Sequence, residues 1–192
     1  MELKEKQRKI LDVAVELFKE KGYMGSSVRD LATKLNIKAA SLYAHIRSKE
    51  EILEWICFGI AQEFFVELQS VKNTPINPKE KLDLFIDKHL SVVLKNRDVT
   101  HIYSNEWRHL EERLPEFIEL RKQYQLEVEE LISEIFQAQN WELKSPTFTT
   151  RFILHTLNNS YFWFKRNIDS THEITEEIRD KILFGLLGNQ NR

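Results

Sequence analysis

Apolar residues recur along this chain at intervals of three and four, the spacing of one helical face. Ile10, Leu11, Ala14, Leu17 and Phe18 form the first such stripe. No run of alternating β-branched residues and no Asn-Gly or Asp-Gly pair marks a hairpin. Helix starts are written in the polar residues between the stripes. Ser27–Asp30 and Ser48–Glu51 each place a hydroxyl three residues before an acid, the pattern of a capping box. Asn77-Pro78 and Ser145-Pro146 each set a capping residue before a proline at the first helical position. These marks predict helices over 4–21, 27–35, 39–46, 49–72, 78–96, 99–112, 115–139, 146–165 and 172–187. The fold class is therefore all-α.

The first three predicted helices are short and the later ones long, which divides the chain into a headpiece over 1–48 and a larger helical domain over 49–192. Within the headpiece, residues 27–46 read as helix, three-residue turn, helix. Val28, Leu31, Ala32 and Leu35 give the first of these a buried face, and Asn36 suits the left-handed conformation that often ends a helix. The second is too short to stand alone, so Leu42 and Ile46 must anchor it. Its other face then offers Ala39, Ala40, Ser41, Tyr43, Ala44 and His45, as a helix-turn-helix does to the DNA major groove.

Composition adds a sign to this division. The 192 residues carry 28 Lys and Arg against 30 Asp and Glu, a net charge of −2 that by itself argues against nucleic acid. Residues 1–50, however, hold 11 basic and 7 acidic side chains, or +4, leaving −6 for the remainder. The basic part is the one with the motif, and Lys38, Arg47 and Lys49 flank its second helix, well placed for phosphates. One cysteine, Cys57, excludes an intramolecular disulfide, sits between Ile56 and Phe58, and reads as inert core. No stretch approaches the roughly 20 apolar residues that span a bilayer, and no apolar signal segment follows the charged start. A cytoplasmic protein with no membrane contact is expected.

Residues 10–53 strongly resemble the N-terminal domain of TetR-family transcriptional regulators, through Ala14, Leu17, Phe18, Gly22, Tyr23, Val28, Ile37, Leu42-Tyr43, His45, Lys49, Glu50 and Leu53. The resemblance implies a homodimer of nine or ten helices per chain that binds double-stranded DNA. It implies that Ser27 and Arg29 meet the DNA backbone, that Ala39, Ala40, Ser41, Tyr43 and His45 face the groove, and that Lys49 holds phosphate. Ala39 and Ala40 make no hydrogen bonds to base edges. Base reading then rests on Ser41, Lys38, methyl contacts to thymine and DNA shape.

In that family the C-terminal part holds an inducer pocket, and its last two long helices form a four-helix dimer interface. Phe148, Phe152, Leu157, Phe164, Ile178, Ile182 and Leu186 supply apolar stripes for such an interface. The segments IYSNEWRHL (102–110), LRKQY (120–124) and NSYFWF (159–164) resemble the subset of TetR regulators that sense acyl-CoA thioesters. This implies a small apolar effector met by Tyr103, Trp107, Arg108, Arg121, Tyr124, Asn159 and Trp163, with the arginines on CoA phosphates. The same arginines are equally placed to pair with Glu111, Glu112 or Glu119 on a solvated face.

His101, Glu106 and His109 are too sparse a set for zinc. No phosphate loop, dinucleotide fingerprint or nucleophile elbow occurs, so neither an enzyme nor a bound cofactor is expected. The expected function is a ligand-released transcriptional repressor on a palindromic operator. A DNA-bound adaptor whose C-terminal domain engages a partner protein, with no inducer, stands as the alternative.

Overall fold

A computed structural model describes residues 3–162 and 171–187, apart from the side chains of 161, 171, 172, 174, 186 and 187. Among the described residues there are helices and turns and no strands. The elements are α1 (Glu5–Lys21), α2 (Val28–Lys34), α3 (Ala39–Leu42), α4 (Lys49–Asn73), α5 (Pro78–Lys95), α6 (Arg97–Asn105), α7 (Leu114–Ala138), α8 (Pro146–Asn159) and α9 (Thr171–Leu187). Short 3-10 turns occupy Trp107–His109 and Ser160–Phe162.

Three of the four predicted caps form, and Ser145, before Pro146, makes no side-chain cap hydrogen bond. Ser27 Oγ accepts from the Asp30 N–H (3.1 Å) while an Asp30 carboxylate oxygen accepts from the Ser27 N–H (2.9 Å). Asn77 Oδ1 takes the Glu80 N–H (2.9 Å), and Ser48 Oγ takes the Glu51 N–H (3.1 Å). Asn36 adopts φ +54°, and the Ile37 and Asn36 N–H groups return to the carbonyls of Ala32 and Thr33, a Schellman ending for α2.

Three helices differ from the sequence pattern at their C-terminal ends. The α-helical part of the third is only Ala39–Leu42, with turn bonds carrying the chain to Ile46. The segment expected over 99–112 stops being α-helical at Asn105, and the one expected over 146–165 stops at Asn159. The last two share a device. Asn105 Nδ2 donates to the His101 carbonyl and Asn159 Nδ2 to the His155 carbonyl, each at 2.8 Å. Side-chain amides that occupy a late carbonyl in this way compete with continuation of the helix, and each α-helix gives way to a 3-10 turn.

The chain forms two compact units, the first made of residues up to Gln62 with Asn96–Leu120, the second of Glu63–Lys95 with Arg121 onward. In the first, Ile10, Ala14, Leu17 and Phe18 of α1 are buried with Leu31 and Ala32 of α2, Leu42 and Ile46 around α3, and Cys57 of α4. Each fully buried Leu or Ile is worth about 1.5–3 kcal/mol. This core is what holds a four-residue helix in place. In the second unit α8 and α9 pack on α5, burying Leu82, Phe85, Ile86, Leu90 and Val93. No helix among the described residues is long and apolar enough to cross a membrane.

Candidate nucleic-acid interface and effector residues

Leu42 is fully buried and Ile46 nearly so, which leaves the remaining positions of the α3 turn outward. Ala40, Ser41 and Tyr43 are exposed, the last at 55%, while Ala39 and His45 are half-buried. Ser27, Arg29 and Lys38 are also exposed. Asp30 binds Ser27 and the Lys21 ammonium (3.0 Å), and these partners hold its carboxyl down at about 2. The residues expected to contact DNA, Lys49 apart, are thus exposed or half-buried around α2 and the α3 turn.

Lys49 turns the other way. Its ammonium donates to the carbonyls of Tyr23 (2.7 Å) and Ser26 (2.8 Å) and sits 4.0 Å from the centre of the Tyr23 ring. Burial pulls its pKa below the ordinary lysine value. Two of its three donors are thus spent inside the fold, and one is left for a phosphate. Arg47, by contrast, is well exposed and pairs with Glu51 at 3.2 Å.

The effector candidates divide between the two units. In the first, Tyr103 is buried edge-on to Phe117 (5.8 Å), and Trp107 lies 6.2 Å from the same ring. Arg108 is stacked over Trp107 at 4.5 Å. In the second, Arg121 is half-buried, Asn159 caps the end of α8, and Tyr124 is buried. Trp163 lies outside the described residues.

Of the expected dimer residues, Phe148 is 69% and Phe152 52% exposed. Leu157, Ile178 and Ile182, also expected there, are buried within the chain. They lie on the faces of α8 and α9 that pack on α5, so their apolar surface is already used. Phe164 and the Leu186 side chain lie outside the described residues. Phe184, 79% exposed on α9, is an outward aromatic that the sequence stripe omitted.

Sequence reasoning also missed His89, which continues the buried face of α5 through Leu82, Phe85 and Ile86. Burial pushes its pKa down to about 4. The signal was its place in that stripe. Among the described residues no group of His, Cys, Asp and Glu is arranged to hold a metal ion.

Two family profiles match. Residues 10–56 match that of the bacterial regulatory proteins of the tetR family, and residues 75–186 that of the tetracyclin repressor-like C-terminal domain. The chain belongs to the TetR family.

Among TetR-family relatives, the repressor KstR2 of Mycolicibacterium smegmatis is 31% identical over 109 residues, 56% of this chain and 52% of that protein. KstR2 of Rhodococcus jostii is 27% identical over 105 residues, again 52% of that protein. The biofilm operon regulator IcaR of Staphylococcus aureus is 42% identical over 72 residues, 36% of this chain and 39% of IcaR. The chain spans about half the length of the KstR2 relatives it matches.

Solved structures extend the likeness along the chain. The ketosteroid regulator KstR2 of Mycobacterium tuberculosis superposes with a TM-score of 0.86 at 20% identity, covering 96% of both chains, which speaks for the fold alone. AibR, solved with isovaleryl coenzyme A and operator DNA, superposes with a TM-score of 0.79 at 27% identity over 95% of this chain and 98% of that one.

Proposed function

We propose that this TetR-family chain is a homodimeric repressor that binds a palindromic operator and is released by a small apolar effector of the acyl-CoA thioester class. The observation that carries the DNA reading is the α3 turn. Leu42 and Ile46 hold it from beneath, and Ala40, Ser41 and Tyr43 stand outward beside Lys38 and Arg29. Residues 1–48 form the reader in this proposal and 49–192 the sensing and dimerising part. Ser27, Arg29 and Lys38 meet phosphates, while Ala39, Ala40, Ser41, Tyr43 and His45 line the groove. Two copies read successive major grooves about 34–36 Å apart.

Pairing through the outward aromatics of α8 and α9 is supported by the exposure of Phe148, Phe152 and Phe184, since large exposed apolar groups on one face favour a partner. An acyl-CoA effector is supported by the likeness to AibR and by aromatic and basic groups at Tyr103, Trp107, Arg108, Arg121 and Tyr124. Release then follows from population shift, with the effector binding better to the dimer whose reader spacing does not match the groove repeat. The protein works in the cytoplasm, where both DNA and CoA thioesters are met.

The test has two arms. A random 40-base-pair pool is passed over the purified chain at fixed salt, and one family of inverted-repeat duplexes is expected to enrich. Isovaleryl-CoA and longer acyl-CoAs are then titrated into the enriched complex. Failure to enrich any duplex overturns the DNA reading. An enriched complex that no acyl-CoA dissociates removes the effector class and leaves the reader in place.

A further inference from the structure

Tyr23, in the turn between α1 and α2, is held by groups that come from far along the chain. Its N–H donates to Glu106 Oε1 (3.2 Å), and its ring stacks on the His109 imidazole, 5.4 Å between centres and 20° from parallel. Glu106 Oε2 lies 3.5 Å from His109 Nε2, so carboxylate and imidazole act as one grip. Lys49 closes the arrangement, with its ammonium over the Tyr23 ring and bonded to the Tyr23 carbonyl. Gly22 precedes Tyr23 at φ +73°, a conformation that spares the backbone for this approach.

The contacts lead from this grip to the reader. The Lys49 ammonium also binds the Ser26 carbonyl, and the Ser26 hydroxyl returns to the carbonyl of Gly22 at 2.6 Å. The next residue, Ser27, is the N-cap of α2. The far end of α2 is closed by the Asn36 ending that leads directly into α3. Where the cap sits therefore sets where the α3 face points, and recognition needs its groups held within about 0.5 Å and 10–20°.

We infer that Glu106, His109 and Lys49 clamp Tyr23 and are positioning residues for the DNA reader, and that Lys49 works through this clamp rather than by holding phosphate. The inference rests on the DNA-binding reading above. The two hypotheses for Lys49 separate by salt dependence. A lost phosphate contact lowers the slope of log affinity against log salt by about one, and weakens all duplexes alike. A mispositioned reader loses affinity for its selected sequence while the slope stays.

The experiment compares wild type with Lys49→Met, Glu106→Ala and His109→Ala on the duplex enriched from the random pool and on an unselected duplex, from 50 to 300 mM KCl. Each variant is expected to weaken the selected duplex by about tenfold, with an unchanged salt slope and little effect on the unselected one. The Lys49→Met/Glu106→Ala double variant should be no worse than the weaker single. A slope reduced by one for Lys49→Met, with Glu106→Ala like wild type, overturns the clamp. If Lys49→Met does not fold, Lys49→Gln, which keeps a donor for the Tyr23 and Ser26 carbonyls but no charge, takes its place, and a salt slope reduced by one for it overturns the clamp. Amide hydrogen exchange gives a reading that needs no DNA. Glu106→Ala is expected to speed exchange at Asp30 and Leu31, and unchanged rates there overturn the clamp even if the DNA reading has failed.

Discussion

His89 Nε2 lies 3.0 Å from Asn158 Oδ1, so the one N–H of a neutral imidazole is committed to Asn158. Nδ1 is then the acceptor for the Tyr124 hydroxyl at 3.1 Å. The ring also stacks on Phe64, 4.4 Å between centres. A polar chain thus links α5 to α7 and α8 inside a mostly apolar core, and burial there requires His89 to be uncharged.

That requirement makes the second unit acid-sensitive. Burial lowers the His89 pKa from 6.5 to about 4, so between these values the unfolded chain binds a proton that the folded chain does not. The stabilising contribution is whole above pH 6.5, shrinks as pH falls toward 4, and changes no further below that. The total is about 3 kcal/mol. Melting followed by circular dichroism from pH 7.5 to 4.5 should show this slope, and His89→Leu should flatten it. At pH 7.5 that variant should be about 1–3 kcal/mol less stable, because Tyr124 and Asn158 lose their partner. An unchanged pH slope in His89→Leu would falsify the assignment.

The α1–α2 turn contains a glycine that no other residue replaces without movement. A Cβ on Gly25 would stand 2.3 Å from the carbonyl oxygen of Lys21, which is backbone and has no flexible end to yield. Gly25→Ala should therefore cost about 2 kcal/mol or more, on the scale of an overpacked site. Urea unfolding measures it, and a midpoint equal to wild type would count against the turn geometry.

The Ser27 cap gives a smaller and separable effect. Ser27→Ala removes the acceptor for the Asp30 N–H and should cost about 1 kcal/mol. Asp30, held at about 2, contributes stability that is whole above its ordinary value of 3.8 and lost as pH falls toward 2. The variant should therefore show a weaker acid loss below pH 4 than wild type, read by the same melts. Equal acid loss in both proteins would mean that Lys21 and the Ser27 N–H, not the hydroxyl, set the Asp30 carboxyl.

How far the fold was legible follows from the range of the interactions that set each feature. The caps at Ser27, Ser48 and Asn77 involve partners three residues away, and the amino-acid pattern contains both members. The helix-turn-helix was legible for the same reason, with Asn36 ending α2 and Leu42 anchoring α3. Lys49 was not, because the carbonyls that turn it inward belong to Tyr23 and Ser26, more than 20 residues earlier. The grip on Tyr23 comes from still farther, at Glu106 and His109. A stripe such as Leu157 or Ile178–Ile182 shows that a face is buried but not what buries it. Here α5 of the same chain does so.

That last distinction separates two kinds of aromatic and aliphatic residue on the final helices, and a pair of substitutions resolves them. Phe148 and Phe152 stand one helical turn apart on the exposed face of α8, so replacing both with Glu removes little packing inside the chain. The double variant should lose no more than about 1 kcal/mol relative to a folded wild-type protomer, as largely exposed changes do, while sedimentation shifts from dimer to monomer under the proposed pairing. Leu157→Ala should behave in the opposite sense. It opens a cavity against α5 and should cost about 2–5 kcal/mol while the surviving folded protein still sediments as a dimer. A dimeric Phe148→Glu/Phe152→Glu protein would move the interface away from this face of α8. A monomeric Leu157→Ala protein of unchanged stability would place Leu157 in the interface.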